Sequence, residues 1–218
     1  MDQFDGVSRD AVIAGAGAHL SAATLRDRPQ RADSRLPRVL DCAARAFRRN
    51  GYHGASIREI VRSVGMLPGS LYCHFASKED LFVAVYEEGV RRLRAAVERA
   101  LGHETDPWRR VQAACVAHLE TLLDGGDYAQ LMVRVQPRDV PQAARRLVAA
   151  RDGYERLFGE LIDALPLGAA VSRSDVRLML LGALNWAPTW YRPGKRSPGD
   201  IARAFVEIMR TEPHGAPR

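Results

Sequence analysis

Between Ser56 and Lys78 the sequence concentrates side chains that bind phosphate or read the polar edge of a base. A hydroxyl or an ammonium group beside the first amides of a helix favours a phosphate, because the helix N-terminus carries partial positive charge. Ser56 and Lys78 are placed at two such helix starts. Arg58 can reach a guanine edge, and Tyr72 and His74 can hydrogen-bond to a phosphate or a base. The expected chemistry is noncovalent recognition of a nucleic acid.

Residue sets suited to catalysis do not accompany these side chains. The sequence lacks a Ser/His/Asp or Cys/His set, paired carboxylates, a phosphate-binding loop and metal-ligand spacings. Gly69-Ser70 is not a nucleophile elbow, since no strand precedes it. The cysteines, Cys42, Cys73 and Cys115, are odd in number and far apart, which favours a reduced cytosolic protein. We therefore expect no enzyme, no metal site and no cofactor.

Each of these residues taken alone has a plainer interpretation. Tyr72 could lie at the rim of a core, His74 could pack between helices, and Lys78 could be solvated. Their spacing between glycines favours a shared role. Residues 31–80 contain nine Arg or Lys and five Asp or Glu, and the chain carries a formal charge of +6. This excess is consistent with a polyanion as partner, although charge alone is a weak indicator.

Short helices must position these side chains, and local signals predict their ends. Apolar residues from Val39 to Phe47 share one helix face, and Gly51 should end that helix in a left-handed cap. Ser56-x-x-Glu59 reads as a capping box that opens a second helix, which Gly65 ends. Pro68 can begin a third helix, because a first-turn residue needs no hydrogen-bonded N–H.

Beyond this stretch the helical pattern continues almost to the end of the chain. Ser77-x-x-Asp80 caps a long helix that runs to about Leu101, and no strand alternation is found. The later helices are expected at about 107–123, 128–135, 141–165, 174–187 and 197–210. The sequence thus predicts an all-α fold of about nine helices: a flexible basic arm over 1–34, a helix-turn-helix domain over 35–82 and a helical bundle over 83–212.

The sequence also supports expectations about the role of the arm and about the cellular compartment. The arm ends in four arginines, Arg26, Arg28, Arg31 and Arg35, and is either a solvated tail or a segment that touches DNA. The sequence has no run of 18 apolar residues, which a membrane-spanning helix would require. We therefore expect a cytoplasmic protein without a membrane partner.

The stretch 38–82, RVLDCAARAFRRNGYHGASIREIVRSVGMLPGSLYCHFASKEDLF, resembles the DNA-binding domain of the tetracycline-repressor (TetR) family. The most specific matching positions are Phe47, Gly51-Tyr52, Ser56, Ile60, Gly65, Gly69-Ser70-Leu71-Tyr72, His74-Phe75, Ser77-Lys78 and Leu81. The resemblance implies phosphate contacts from Ser56, Tyr72 and Lys78. It implies that Arg58, Pro68, Gly69, Ser70 and His74 approach bases, and that a homodimer binds a near-palindromic operator in double-stranded DNA. Leu67 departs from the family pattern, since many members have a capping residue there.

The bundle is expected to hold the dimer interface. The helix over 174–187 is apolar almost all round, which predicts burial on both sides. Together with the last helix it could form a four-helix interface between two chains, and the resemblance implies the same pair of helices. Trp186 and Trp190, four residues apart, either anchor this interface or wall a ligand cavity.

The same C-terminal segment resembles a TetR subgroup that regulates lipid and steroid catabolism. This resemblance makes an acyl-CoA or another hydrophobic carboxylate the expected effector of a repressor. The candidate pocket residues are Trp108, Cys115, His118, Met132, Arg134, Tyr154, Phe158 and Trp186, each of which could equally be core. Arg134 could meet an anionic ligand or form a salt bridge. The alternative function is a dimeric, architectural DNA-binding protein that responds to no ligand.

Overall fold

The structure, a computed structural model, describes residues 35–124, 126–135, 137–194 and 196–210. Within these ranges the chain forms nine α-helices, one 3-10 turn and no strand, so the predicted all-α fold is confirmed. The arm expected over 1–34 lies outside the described residues. The helices are α1 Leu36–Gly54, α2 Ile57–Ser63, α3 Pro68–Tyr72, α4 Lys78–Leu101, α5 Pro107–Leu123, α6 Asp127–Arg134, α7 Ala144–Asp163, α8 Arg173–Trp190 and α9 Pro198–Arg210, with the 3-10 turn at Pro137–Asp139.

Two glycines delimit the first three helices, as the sequence predicted. Gly51 interrupts α1 with φ at 68°, and Gly65 separates α2 from α3 with φ at 66°. A residue with a Cβ atom is strained in this left-handed region, whereas glycine is not. A small aromatic core lies behind the three helices. The ring of Phe82 makes edge contacts with Phe47 and Tyr52, at centroid distances of 5.0 and 5.2 Å.

Helix α4 connects the first three helices to the rest of the chain. It begins after Ser77, whose hydroxyl accepts a hydrogen bond from the backbone N–H of Asp80, as the capping signal predicted. The helix runs without a break through the expected domain boundary at 82–83 and packs against α1, α5, α6 and α7. A displacement of α4 therefore acts on both halves of the molecule.

Three predicted helix ends differ from the structure. Helix α7 begins at Ala144 rather than Pro141, because residues 137–143 form the 3-10 turn and further turns. Ser172, not Ser174, caps α8 by accepting a hydrogen bond from the N–H of Asp175. Helix α8 also continues through Pro188 to Trp190. Proline removes one backbone hydrogen bond from a helix, and here that loss falls within the last turn, where few hydrogen bonds remain to be disturbed.

Helices α8 and α9 leave large apolar side chains uncovered. Leu178 and Met179 on α8 are 58% and 56% exposed, and Ile208 on α9 is 69% exposed. At the end of α8 the ring of Trp190 packs against Phe205 of α9, with centroids 6.5 Å apart. Among the described helices, none combines the length and the hydropathy required to span a membrane.

Candidate DNA-binding face and ligand cavity

The outer face of α3 is built from small and polar residues. Pro68, Gly69, Ser70 and Tyr72 are exposed, while Leu71 is buried and anchors the helix to the core. The helix begins at Pro68, and Leu67 before it provides no side-chain cap. A Cβ atom added at Gly69 would meet nothing within 4 Å. This face is therefore open to an approaching surface.

The start of α2 differs from the predicted capping box. Ser56 has the extended backbone of an N-cap residue, but its hydroxyl makes no capping hydrogen bond. The capping-box prediction is therefore wrong, and the fold does not use the hydroxyl for this purpose. Arg58, in the first turn of α2, is exposed to solvent.

Lys78 is held at the junction of α1 and α4. Its ammonium group donates a hydrogen bond to the carbonyl oxygen of His53, at 3.1 Å, and lies 4.9 Å from the centre of the Tyr52 ring. His53 is three residues before Ser56, so the two proposed phosphate-binding residues flank one short connection. His74 follows α3 and is half-buried. These placements bring the predicted side chains to the start of α2, to α3 and the residues just after it, and to the start of α4.

Helix α6 is tied to α1 by polar contacts. The carboxylate of Asp127 pairs with the guanidinium groups of Arg48 and Arg45, and Arg48 also donates to the side chain of Gln130 at 3.3 Å. The hydroxyl of Tyr128 donates to Asp41 of α1 at 3.0 Å. A displacement of α6 would disturb these contacts and so reach α1, which packs against α2.

A groove of about 620 Å³ lies beside these contacts. Its wall includes Arg92, which pairs with Asp41 at 2.9 Å and lies over the ring of Tyr128 at 4.1 Å. Four arginines and three aspartates line this groove, and Arg45 pairs with Asp127 as Arg92 does with Asp41. Ligand pockets are lined predominantly by apolar side chains with few polar groups, so this strongly charged wall suits a hydrophobic effector less well than a mainly apolar cavity does.

A second cavity, of about 320 Å³, lies among helices α4 to α8 and is lined mainly by apolar and aromatic side chains. Two predicted pocket residues, Met132 and Trp186, line it. Such size and lining are typical of the smaller ligand pockets, which start at roughly 300 Å³. The full lining is Tyr86, Leu93, Leu122, Met132, Val133, Val135, Pro137, Arg151, Gly182, Asn185, Trp186 and Thr189.

The other predicted pocket residues do not line this cavity. Cys115, Tyr154 and Phe158 are buried in the core, and Trp108 packs against the core while partly exposed. Arg134 is exposed and lines a different groove, beside the end of α1. It points away because Leu131 and Met132 occupy the inner positions of α6, and the end of the helix is at the surface.

A buried polar cluster lies behind the cavity. Nδ1 of His118 on α5 is 2.8 Å from the hydroxyl of Tyr154 on α7, and Phe158 packs edge-on against the imidazole. Burial lowers the pKa of His118 to about 4, with a smaller opposing effect from Asn185 on α8. Burial likewise raises the pKa of the Cys115 thiol to about 12. Both groups are therefore uncharged near neutral pH.

Sequence reasoning did not identify Asn185 as a cavity residue. The available signal was a lone amide in an otherwise apolar stretch of α8, and the partner of that amide lies on another helix. In the described ranges, no three His, Cys, Asp or Glu side chains are grouped so that they could hold a metal ion.

Comparison with known proteins agrees with this architecture. Residues 39–85 match the family model of bacterial regulatory proteins of the tetR family, and residues 104–211 match the model of a tetracyclin repressor-like C-terminal domain. The transcriptional repressor KstR2 of Mycolicibacterium smegmatis is 31% identical over 195 residues, which cover 84% of this chain and 92% of KstR2. The transcriptional activator FasR of the same species is 31% identical over 130 residues, 60% of this chain and 59% of FasR.

Among solved structures, AibR in complex with isovaleryl coenzyme A and operator DNA aligns with a TM-score of 0.65 at 21% identity, covering 79% of this chain and 96% of AibR. This likeness concerns the fold. The two family models and the match along most of KstR2 define the chain as a bacterial transcriptional regulator. The protein belongs to the TetR family of transcriptional regulators, and its relatives are regulators rather than enzymes.

Proposed function

We propose that the chain is a homodimeric repressor that binds a near-palindromic operator and releases it when a hydrophobic or acyl-CoA-like effector occupies the 320 Å³ cavity. The observation that carries the DNA-binding part is the open outer face of α3, where a Cβ atom added at Gly69 would meet nothing within 4 Å. A recognition helix needs such a face to enter the major groove. Residues 35–82 serve as the DNA-binding domain, and the remainder senses the effector and dimerises.

The proposed contacts divide into two groups. Ser56, Tyr72 and Lys78 fix phosphates, and the carbonyl of His53 holds the ammonium group of Lys78 in position. The base-reading group consists of Arg58, Pro68, Gly69, Ser70 and His74. Phosphate contacts set affinity and its salt dependence, whereas contacts with base edges select the sequence.

The dimer forms through α8 and α9. Leu178, Met179 and Ile208 are large apolar side chains exposed on these helices, and covering them against a second copy removes this apolar surface from water. A twofold dimer places two α3 helices in successive major grooves, which is why the operator is near-palindromic.

An effector in the cavity reaches the DNA-binding helices through α6. Met132 of α6 lines the cavity, while Asp127 and Tyr128 at the other end of α6 hold α1. An effector that binds one position of α6 more tightly shifts the population towards that position. The favoured dimer then presents its α3 helices at a separation that no longer matches the grooves.

Hydrophobic effectors suit the cavity because its lining is mainly apolar, and Arg151, which also pairs with Glu155 at 3.3 Å, is the cation in that lining that could meet a carboxylate or phosphate. The fold-level likeness to AibR, which was solved with isovaleryl coenzyme A, supports the acyl-CoA class. The cavity has room for an acyl group, and the nucleotide would extend outside it.

Fluorescence anisotropy with DNA from the region upstream of the protein's own gene tests both parts. We expect sequence-specific binding that weakens as salt is raised, and release on addition of a medium-chain acyl-CoA. Absence of sequence-specific binding at every promoter tried would overturn the DNA-binding part. Specific binding that no hydrophobic ligand alters would instead favour the ligand-independent alternative.

A further inference from the structure

The buried pair of His118 and Tyr154 leaves one polar atom without a partner. His118 is 1% exposed, and among the described residues its Nε2 is the buried side-chain nitrogen or oxygen that makes no hydrogen bond. Buried polar atoms in native proteins are nearly always hydrogen-bonded, because an unpaired one loses its hydration without compensation. Such an atom next to a cavity calls for an explanation.

The arrangement of the cluster indicates which nitrogen carries the proton. If the hydroxyl of Tyr154 donates to Nδ1 of His118, a single group remains unpaired, the Nε2–H donor. If Nδ1–H donates instead, both the phenol proton and the Nε2 lone pair remain unpaired. The first arrangement leaves fewer unpaired groups, so it is the more stable one. His118 therefore directs an N–H group away from Tyr154.

Asn185 connects this N–H group to the cavity. It lies on α8 and is exposed on the cavity wall, and it raises the pKa of His118 against the larger lowering by burial, although it makes no hydrogen bond with Nε2 in the structure. An asparagine side chain has an acceptor oxygen and a donor NH2 group. A small movement that lets its oxygen accept from Nε2–H of His118 leaves its NH2 group to face the cavity. The cavity wall then offers a hydrogen-bond donor.

We propose that Asn185, positioned by the His118–Tyr154 pair, donates a hydrogen bond to a carbonyl oxygen of the effector. This inference rests on the proposed function, since it concerns the effector of the same cavity. It specifies the chemical class further: an apolar molecule with a carbonyl oxygen, of which a thioester is one form. A purely hydrocarbon ligand of equal shape would leave the amide donor unpaired and bind more weakly.

Two coenzyme A derivatives that differ only at this oxygen provide the test. Octanoyl-CoA has the thioester carbonyl, and S-octyl-CoA has a methylene group in its place. Isothermal titration calorimetry on the full chain should give about fivefold tighter binding of octanoyl-CoA, as expected for one neutral hydrogen bond. Asn185→Leu, similar in shape but without polar atoms, should bind both compounds and bring the ratio of their dissociation constants to about one.

His118 is a positioning residue, and variants at this site separate positioning from packing. His118→Phe keeps a ring beside Phe158 but removes the donor, so the preference for octanoyl-CoA should fall. His118→Gln restores an N–H donor and should recover part of the preference, which a packing role alone would not explain. Nitrogen-15 spectra of the ligand-free protein should show the Nε2-protonated form of His118, and octanoyl-CoA should shift its resonance.

The outcomes distinguish failure of this inference from failure of the proposed function. Equal affinity of the wild type for both compounds, or an unchanged preference in Asn185→Leu, overturns the role of Asn185 and leaves the acyl-CoA effector standing. No binding of either compound overturns the acyl-CoA class, and this inference with it. An Nδ1-protonated His118 in the free protein overturns the inference by itself.

Discussion

Replacement of Gly69 by alanine should strengthen the fold and weaken DNA binding. Gly69 lies in α3, and its new Cβ atom would meet nothing within 4 Å, so the substitution causes no steric clash in the folded protein. Alanine stabilises a helix relative to glycine by roughly 0.5–1 kcal/mol. Against DNA the same methyl group enters a close contact, and forcing a methyl into a packed contact costs roughly 1–3 kcal/mol. A dimer incurs this cost twice.

Gly65 provides the matched control. A Cβ atom there also meets nothing within 4 Å, but φ is 66°. Gly65→Ala should therefore destabilise the fold by roughly 1–2 kcal/mol through backbone strain alone. The same chemical change at two neighbouring glycines should thus alter stability in opposite directions.

Urea unfolding measures the stability of both variants, and fluorescence anisotropy with the operator measures affinity. We expect Gly69→Ala to unfold at higher urea and to bind DNA at least tenfold more weakly, a ratio that corresponds to about 1.4 kcal/mol. Unchanged affinity would refute the claim that α3 approaches the bases closely. A less stable Gly69→Ala would refute the helical environment assigned to this residue.

Three further predictions concern other parts of the molecule. Lys78→Met should weaken operator binding and reduce the slope of log affinity against log salt by roughly 2 per dimer, measured by anisotropy, since each phosphate contact contributes about 0.9; an unchanged slope would contradict the phosphate contact. Leu178→Arg should place a charge in the dimer interface and yield a folded monomer in sedimentation velocity, whereas a persisting dimer would exclude this face of α8. Hydrogen bonds from Arg91 and then Arg92 lower the pKa of Glu88 to about 2, so this carboxylate stabilises the fold above about pH 4.5 and the contribution is lost as the pH falls towards 2. Glu88→Gln should lower the free energy of unfolding at pH 7 by only about 1 kcal/mol, measured by urea unfolding, because the arginines are largely exposed. It should also flatten the pH dependence of stability. An unchanged loss of stability at acidic pH would show that the pairs contribute nothing.

Local signals in the sequence predicted the helices that position the DNA-binding face. Gly51, Gly65, Pro68 and the Ser77 cap act through the backbone of their own neighbours, so no knowledge of the tertiary fold is needed to interpret them. The proposed DNA contacts follow from the resemblance. The structure leaves five of these residues exposed and three half-buried; the half-buried ones are Ser56, His74 and Lys78.

The second domain could be predicted only in outline. Periodicity places Met132, His118 and Tyr154 on inner helix faces, but it does not say which inner residue faces a cavity and which faces the core. That distinction depends on contacts between different helices, such as those of α5 with α7 and α8. Arg134 illustrates the same limit, since one step around α6 moves a side chain from the inner surface to the solvent. Helix α8 includes Pro188 in its last turn, and the local sequence does not show that the helix ends two residues later.

The exposed residues of α3 contribute little to the stability of the fold. Helix α3 begins at Pro68 without a side-chain cap and is fixed from behind by Leu71, so the exposed positions between them contribute little to folding. Under the proposed base contacts, substitutions there change the preferred operator without the loss of stability that usually restricts evolution. The same separation lets an engineer graft the α3 face of another family member onto this chain and redirect the regulator to a new promoter.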